Sequence, residues 1–144
     1  MALGPAERNT CGKPKSHHHL CGHRIDPHPV DVASSADTPT DHHTLFLAQL
    51  PSGPGFNHAA FEVRDIEDVL SGHNLLKAKD SLPAWGIGRH YPGSQVFDYW
   101  RDPWGHTVEH WTDGDMFTAE DEPRMGTVAD LLGAQWGPAM PADF

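Results

Sequence analysis

The sequence has 144 residues, which is enough for one ordinary domain with a buried core. Its hydrophobic fraction of 38% is that of a globular protein, and no apolar run approaches the roughly eighteen residues that a membrane span needs. The formal charge of −10 argues against a nucleic-acid partner, which would need a basic face. Residues 1–15 lack the apolar stretch of a secretory signal, so we expect a cytoplasmic protein without membrane contact.

The composition changes near Asp41. Residues 1–40 contain no Phe, Tyr or Trp, and their four acidic residues balance four basic ones. Such a segment has too little apolar surface to offset the entropy lost on ordering, so we expect residues 1–40 to be a disordered or non-native head. Cys11 and Cys21 of this head do not have the spacing of a metal-binding pair, and we expect free thiols. Residues 41–144 are therefore the predicted domain.

Apolar patterning after Asp41 predicts alternating strands and helices. The expected elements in chain order are a strand at 44–49, a strand at 56–63, a helix from 66, strands at 84–90, 94–100 and 106–112, a short helix through Leu132 with Thr127 as its N-cap, and a tail at 137–144.

The first helix has the clearest local signals. Asp65 is a predicted N-cap, and Glu67 and Asp68 follow in the first turn, where acidic residues suit the helix dipole. One apolar stripe follows at helical spacing: Ile66, Val69, Leu70, His73 and Leu76. The resulting order is strand, helix, strand, strand, strand.

His58 lies on the first strand of this βαβββ unit and Glu109 on the last. An imidazole nitrogen and a carboxylate oxygen that converge inside a sheet can bind a divalent metal, and two histidines with one carboxylate leave positions open for substrate and dioxygen. Taken alone this pair is weak evidence, because a strand histidine is more often structural than a ligand.

The amino-acid sequences of four segments are more specific evidence for a family. They are DHHTL at 41–45, GFNHAAFEV at 55–63, WGIGRH at 85–90 and FDYWRDPWGHTVE at 97–109. In this order they closely resemble the end of one βαβββ module and the whole of the last module in type I extradiol dioxygenases of the vicinal oxygen chelate superfamily. The resemblance implies an α+β fold with a curved mixed sheet, one complete module plus the last strand of a preceding one. The second module would span residues 55–112, with a C-terminal extension at 113–144.

The resemblance also implies roles for individual residues. His58 matches a histidine ligand and Glu109 the carboxylate ligand of Fe(II), or alternatively Mn(II). His43 matches an acid–base histidine, although the adjacent His42 leaves that assignment open. His90 and Tyr99 match residues that hydrogen-bond the catecholic substrate. The implied reaction is the ring cleavage of a small aromatic diol by dioxygen. His106, His110 and Trp111 match no catalytic position and are interpreted as structural.

The third metal ligand of the family lies in the first strand of the preceding module. Its expected place is further before His43 than the forty-two residues that the sequence has there. We therefore expect an incomplete copy with low activity. Because an uncovered sheet edge and apolar face favour association, a homo-oligomer is an expected assembly.

Two other functions fit the same fold. One is another vicinal oxygen chelate enzyme, such as a glyoxalase or a thiol transferase, although the spacing of His90 and Tyr99 favours a dioxygenase. The other is a non-catalytic pseudo-enzyme or binding module that keeps the sheet without the chemistry.

Overall fold

A computed structural model describes residues 24–25, 30–33, 39–48, 54–118, 121 and 125–144. The elements in these ranges are, in chain order, β1 (Arg24–Ile25), β2 (Val30–Ala33), β3 (Thr40–Asp41), β4 (Leu45–Ala48), β5 (His58–Glu62), α1 (Ile66–Ala78), β6 (Pro83–His90), β7 (Val96–Arg101), β8 (Thr107–Thr112), β9 (Met116–Phe117), β10 (Met125–Gly126), α2 (Val128–Leu132) and β11 (Ala134–Trp136). Neither described helix has the length and hydropathy of a membrane-spanning segment.

The largest sheet has five strands in the order β11-β6-β7-β8-β5. β7 pairs antiparallel with both β6 and β8, whereas β5 pairs with β8 in parallel. This parallel pair requires a crossover from β5 to the antiparallel strands, and α1 lies in that connection. The predicted order of strand, helix and three strands is confirmed, and so is the α+β class with a mixed sheet.

Helix α1 begins and ends where local chemistry requires. The Asp65 side chain accepts a hydrogen bond from the Asp68 backbone N–H at 2.9 Å, which confirms the predicted N-cap. At the other end the N–H of Lys79 donates to the carbonyl of Leu75 at 3.1 Å. Val69 of the predicted apolar stripe is fully buried against the sheet. α1 therefore covers one face of the sheet and leaves the other free for a site.

The core lies on both faces of β7. Phe97 and Tyr99 are buried with Trp85 of β6 in one aromatic cluster. Trp100 follows Tyr99 and points to the opposite face, since side chains alternate along a strand, and its ring contacts His73 of α1 at 5.2 Å. The face away from α1 is therefore lined by aromatic rings.

The head of the chain departs from the prediction. No regular structure was expected before Asp41, but β2 pairs antiparallel with β4 over four residue pairs. The segment VDVA contains two valines, which favour a strand, and the ladder with β4 supplies hydrogen bonds that composition does not reveal. Cys11, Cys21, His17–His19 and His23 lie outside the described residues. The domain boundary near residue 41 stays a prediction.

The region after β9 contains the predicted short helix. Thr127 and Asp130 form a capping box, in which the Thr127 hydroxyl accepts from the Asp130 N–H at 3.1 Å and Asp130 accepts from the Thr127 N–H at 2.8 Å. The chain then returns as β11 to pair with β6. This return brings residues 137–144 to the aromatic face of the sheet.

Candidate active site

His58 and Glu109 meet on the face of the sheet that α1 leaves open. In the parallel β5–β8 ladder His58 is opposite Thr107 and Ala60 is opposite Glu109, so the two side chains are on adjacent strands and share a face. His58 Nε2 lies 3.2 Å from Glu109 Oε2. Glu109 is buried and His58 is half-buried. The structure therefore brings together the two side chains that the sequence nominated as ligands.

Their separation fits one divalent ion. Two donors bound to the same metal at about 2.1 Å, with angles between tetrahedral and octahedral values, stand roughly 3.0 to 3.4 Å apart. The 3.2 Å between His58 Nε2 and Glu109 Oε2 falls in that interval. The same distance is typical of an ion pair when His58 is protonated. The chemistry of the two donors, rather than their distance, therefore indicates whether they suit a metal. An imidazole nitrogen with a buried carboxylate is a suitable set for Fe(II) or Mn(II).

The orientation of His58 is set by its neighbour. His58 Nδ1 donates to the side-chain oxygen of Asn57 at 2.5 Å. This hydrogen bond directs Nε2 towards Glu109, to which it donates in the metal-free protein, whereas a bound metal would take the place of that proton. Metal-binding histidines commonly donate their second ring N–H to an oxygen in this way, which fixes the tautomer.

His90 and Tyr99 form a hydrogen-bonded pair beside Glu109. The Tyr99 hydroxyl lies 2.9 Å from His90 Nε2, and that nitrogen is 3.7 Å from Glu109 Oε1. Tyr99 is directly opposite Glu109 in the β7–β8 ladder, which accounts for their contact. The ring of His58 packs edge-on against Tyr99 with centroids 5.2 Å apart. Four of the five predicted site residues therefore form one continuous group.

His43 is the fifth predicted residue and lies between β3 and β4. Its Nδ1 is 2.9 Å from Nδ1 of His42, and its ring contacts Phe46. Burial lowers the pKa of His43 below the ordinary 6.5, although the negative charge of Glu109 acts in the opposite direction. Glu109 raises the pKa of His43, whereas His90 and His58 lower it further.

Burial affects the two most enclosed groups in different ways. Burial raises the pKa of the Tyr99 hydroxyl well above 10, and the neighbouring Glu109 carboxylate raises it further. For Glu109 itself burial also raises the pKa, but hydrogen bonds from His58 and His90 outweigh it and keep the pKa below 4.5. At neutral pH the site therefore contains one carboxylate and one protonated phenol within a single aromatic pocket.

Two protein donors are present where the resemblance to extradiol dioxygenases implies three. Within the described residues no group of three His, Cys, Asp or Glu side chains has the arrangement of a metal site. The expected third ligand belongs to a preceding module. The geometry thus places one imidazole nitrogen and one carboxylate oxygen at a distance that one metal ion could bridge.

Some contributors were not predicted. Asn57 was not singled out as a site residue, although it lies beside His58 in the segment GFNHAAFEV. Phe144 was interpreted as part of a tail, yet its ring contacts Tyr99 and Trp85. No local pattern predicts the Phe144 contacts, because they join residues far apart in the chain.

The comparisons with known proteins agree with this fold. Residues 17–110 match the model of the glyoxalase/bleomycin resistance protein/dioxygenase superfamily. The chain therefore belongs to that superfamily. Its match begins inside the segment that composition had set apart as a head.

Among curated proteins the chain is similar to metapyrocatechase 2 of Cupriavidus necator, with 36% identity over 127 residues. The alignment covers 85% of this chain and 39% of the relative. The chain thus spans about two fifths of the length of the curated relative it matches.

Solved structures with the same fold include both enzyme types considered from the sequence. The Mn(II)-bound glyoxalase from Novosphingobium aromaticivorans has a TM-score of 0.70 at 23% identity, over 85% of this chain and 40% of that one. BphC, described as a halotolerant catechol dioxygenase, has a TM-score of 0.65 at 22% identity, over 85% and 39%. At these identities the likeness establishes the fold alone.

Proposed function

We propose that this chain forms part of the active site of an extradiol-type dioxygenase, which cleaves the ring of a small aromatic diol with dioxygen. The observation that carries the proposal is the convergence of His58, Glu109, His90 and Tyr99 around one buried position. The similarity to metapyrocatechase 2 supports the same substrate class. In keeping with the sequence, the proposed enzyme is cytoplasmic.

His58 and Glu109 would hold the metal, Fe(II) or alternatively Mn(II). When bound, that ion would supply Lewis acidity and a position for dioxygen. The task of the protein donors is to fix where the ion lies. Asn57 assists because its hydrogen bond at 2.5 Å keeps His58 Nε2 directed at that position.

Tyr99 and His90 would orient the diol. The raised pKa of Tyr99 keeps its hydroxyl protonated at neutral pH, so this group can donate a hydrogen bond to a substrate oxygen. His90 Nε2 is 2.9 Å from that hydroxyl and restricts its direction. Surrounding aromatic rings exclude water, which strengthens each of these hydrogen bonds.

His43 would accept a proton from a diol hydroxyl. Burial lowers its pKa below 6.5, so the imidazole is neutral at physiological pH and its lone pair is available. The neighbouring Glu109 charge stabilises the imidazolium that forms, which makes the transfer easier.

The proposal is tested with iron-loaded protein under anaerobic conditions. Iron content is measured first, then the visible spectrum after adding 4-nitrocatechol, and finally oxygen uptake with a panel of catechols and the yellow ring-opened product. We expect weak iron binding and slow turnover by this chain alone, because two protein donors hold a labile ion less firmly than three. Added imidazole should raise iron retention if the third position needs a histidine-like donor.

Three variants and one control separate the roles. His58→Gln and Glu109→Gln should abolish iron retention, whereas Tyr99→Phe should keep the iron and slow turnover about a hundredfold. Trp104→Ala removes a ring that is 81% exposed in the β7–β8 turn, and it should match the unmodified chain. Iron retention or nitrocatechol binding that survives Glu109→Gln would contradict the proposal.

A further inference from the structure

The last eight residues of the sequence cross the aromatic face of the sheet, and we call Gly137–Phe144 the C-terminal strap. Gly137 has a φ of +113°, and a Cβ at this position would lie 2.6 Å from the Cα of Gly88 in β6. A Cβ at Gly88 would in turn lie 2.9 Å from the Trp136 carbonyl oxygen. Because only glycine tolerates both the conformation and the contact, the approach of the strap to β6 is built into the sequence.

Two hydrogen bonds tie the strap to strands of the site. The Trp85 indole N–H donates to the carbonyl of Pro138 at 3.0 Å, close to where the strap begins. The Arg101 guanidinium donates to the carbonyl of Asp143 at 3.1 Å, close to Phe144. These two bonds attach the strap to β6 and to β7, and they fix its position relative to the site residues of both strands.

Phe144 lies against the rings that enclose Tyr99. Its centroid is 5.0 Å from that of Tyr99 at an angle of 81°, and 5.1 Å from that of Trp85. Trp85 stacks on Tyr99 at 5.6 Å and 19°. The Tyr99 ring is thus contacted by both aromatic groups, while its hydroxyl is bonded to His90 at 2.9 Å.

We propose that the C-terminal strap is a positioning element of the active site, and that Phe144 is the residue which holds the Tyr99 ring in the rotamer that reaches His90. This inference rests on the proposed function for its catalytic meaning. Its structural content stands apart, because it states which residue fixes the Tyr99–His90 hydrogen bond. The sheet fixes only the Cα of Tyr99, and packing must fix the ring.

The mechanism predicts a local effect. Without the Phe144 ring, Tyr99 gains rotational freedom and water reaches its hydroxyl, so the bond to His90 weakens. Phe144→Leu retains apolar bulk over the same rings and should therefore preserve most of the Tyr99–His90 hydrogen bond. A strap that only stabilises the fold would change the stability of the protein without a selective change at His90.

The first test uses nuclear magnetic resonance of 15N-labelled metal-free protein, with the His90 ring nitrogens assigned by their loss in His90→Gln. The Nε2 shift of His90 should change by several ppm in Phe144→Ala, change less in Phe144→Leu, and stay constant in Trp104→Ala. An unchanged His90 shift in Phe144→Ala overturns the proposal, whatever the catalytic activity is.

Hydroxyl-radical footprinting guards against global unfolding. Oxidation of Tyr99 and Trp85 should rise severalfold in Phe144→Ala, while the exposed Tyr91 and the buried Trp100 on the opposite face keep their levels. A rise at Trp100 would assign the effect to loss of the fold and would overturn the positioning role.

The kinetic arm separates this inference from the proposed function. In protein reconstituted to measurable catechol turnover, Phe144→Ala should lower kcat about tenfold and leave KM within about twofold, because the diol still binds but the hydroxyl is misplaced. A matching rise in KM with unchanged kcat would contradict positioning. A protein without turnover that shows the His90 and footprinting changes would refute the dioxygenase and leave the positioning of Tyr99 established.

Discussion

At the scale of single residues, the site stabilises a negative carboxylate beside a neutral phenol. Glu109 keeps a pKa below 4.5 because hydrogen bonds from His58 and His90 outweigh the burial that raises it. Its lowered pKa contributes stability above 4.5, and this contribution is lost as pH falls through the folded value. At neutral pH the folded protein is therefore stabilised with Glu109 ionised, which is the form that a metal would require.

His43 provides the prediction at this scale. Burial lowers its pKa, so titration of its ring protons in metal-free protein should show a midpoint below 6.5. The negative charge of Glu109 raises this pKa, so Glu109→Gln should move the midpoint lower still. As pH falls from 6.5 through the pKa of His43 in the folded protein, the folding stability should decrease, because the unfolded chain binds a proton that the buried ring does not. A midpoint at or above 6.5 would contradict the burial effect, and a midpoint that Glu109→Gln leaves unchanged would separate His43 from the site.

At the scale of elements, α1 is held to the sheet by an unusual polar contact. Asp98 is fully buried beneath the helix and lies 3.2 Å from His73 Nδ1 of α1, and it accepts from the Trp100 indole at 2.5 Å. The predicted apolar stripe is buried only in part, because Ile66 and Leu70 stay 44% and 46% exposed. The polar contact therefore has a larger share in docking the helix than the apolar pattern indicates.

Removing the carboxylate should accordingly be costly. Asp98→Ala leaves His73 and the Trp100 indole without their acceptor, and we expect a loss of about 3 kcal/mol in the free energy of unfolding. Urea denaturation at neutral pH measures it. The matched control is Arg64→Ala, which breaks an exposed i,i+4 ion pair with Asp68 in the same helix and should change the urea midpoint little. Equal effects of the two substitutions would contradict this account.

At the scale of the whole molecule, the five-stranded sheet ends at β5. Among the described strands β5 pairs only with β8, and Phe61 on this edge is 59% exposed. An uncovered edge strand presents backbone groups to any partner strand. The relative metapyrocatechase 2 has more than half of its length outside the part that aligns with this chain.

We therefore predict concentration-dependent self-association through β5. The net charge of −10 opposes it, so added salt should strengthen association by screening that repulsion. Sedimentation velocity over a range of concentrations measures it. Phe61→Glu should weaken association, whereas Trp104→Glu, which changes an exposed ring in the β7–β8 turn, should not. A monomer at all concentrations and salt levels would refute the prediction.

Much of the fold follows from local patterns. Asp65 and Thr127 were predicted as helix N-caps, and both side chains accept the expected backbone hydrogen bonds. Capping depends on residues three positions apart, and alternation depends on neighbours, so one short window contains the information. The order of the βαβββ unit was accordingly readable from local patterns, whereas the superfamily was indicated by the resemblance of the four quoted segments.

Tertiary structure alone decided the contacts that join distant segments. Pairing of β2 with β4 gave structure to a segment whose composition predicted none. Phe144 contacts Tyr99 from a stretch interpreted as a tail. Asp98 contacts His73 of α1, a helix whose sequence pattern indicated apolar packing. Each contact depends on which surfaces meet once the sheet has formed, and residue order within a short window does not encode that. The sequence alone thus nominated His58, Glu109, His90 and Tyr99, whereas the folded sheet brought His58 Nε2 to 3.2 Å from Glu109 and the Tyr99 hydroxyl to 2.9 Å from His90.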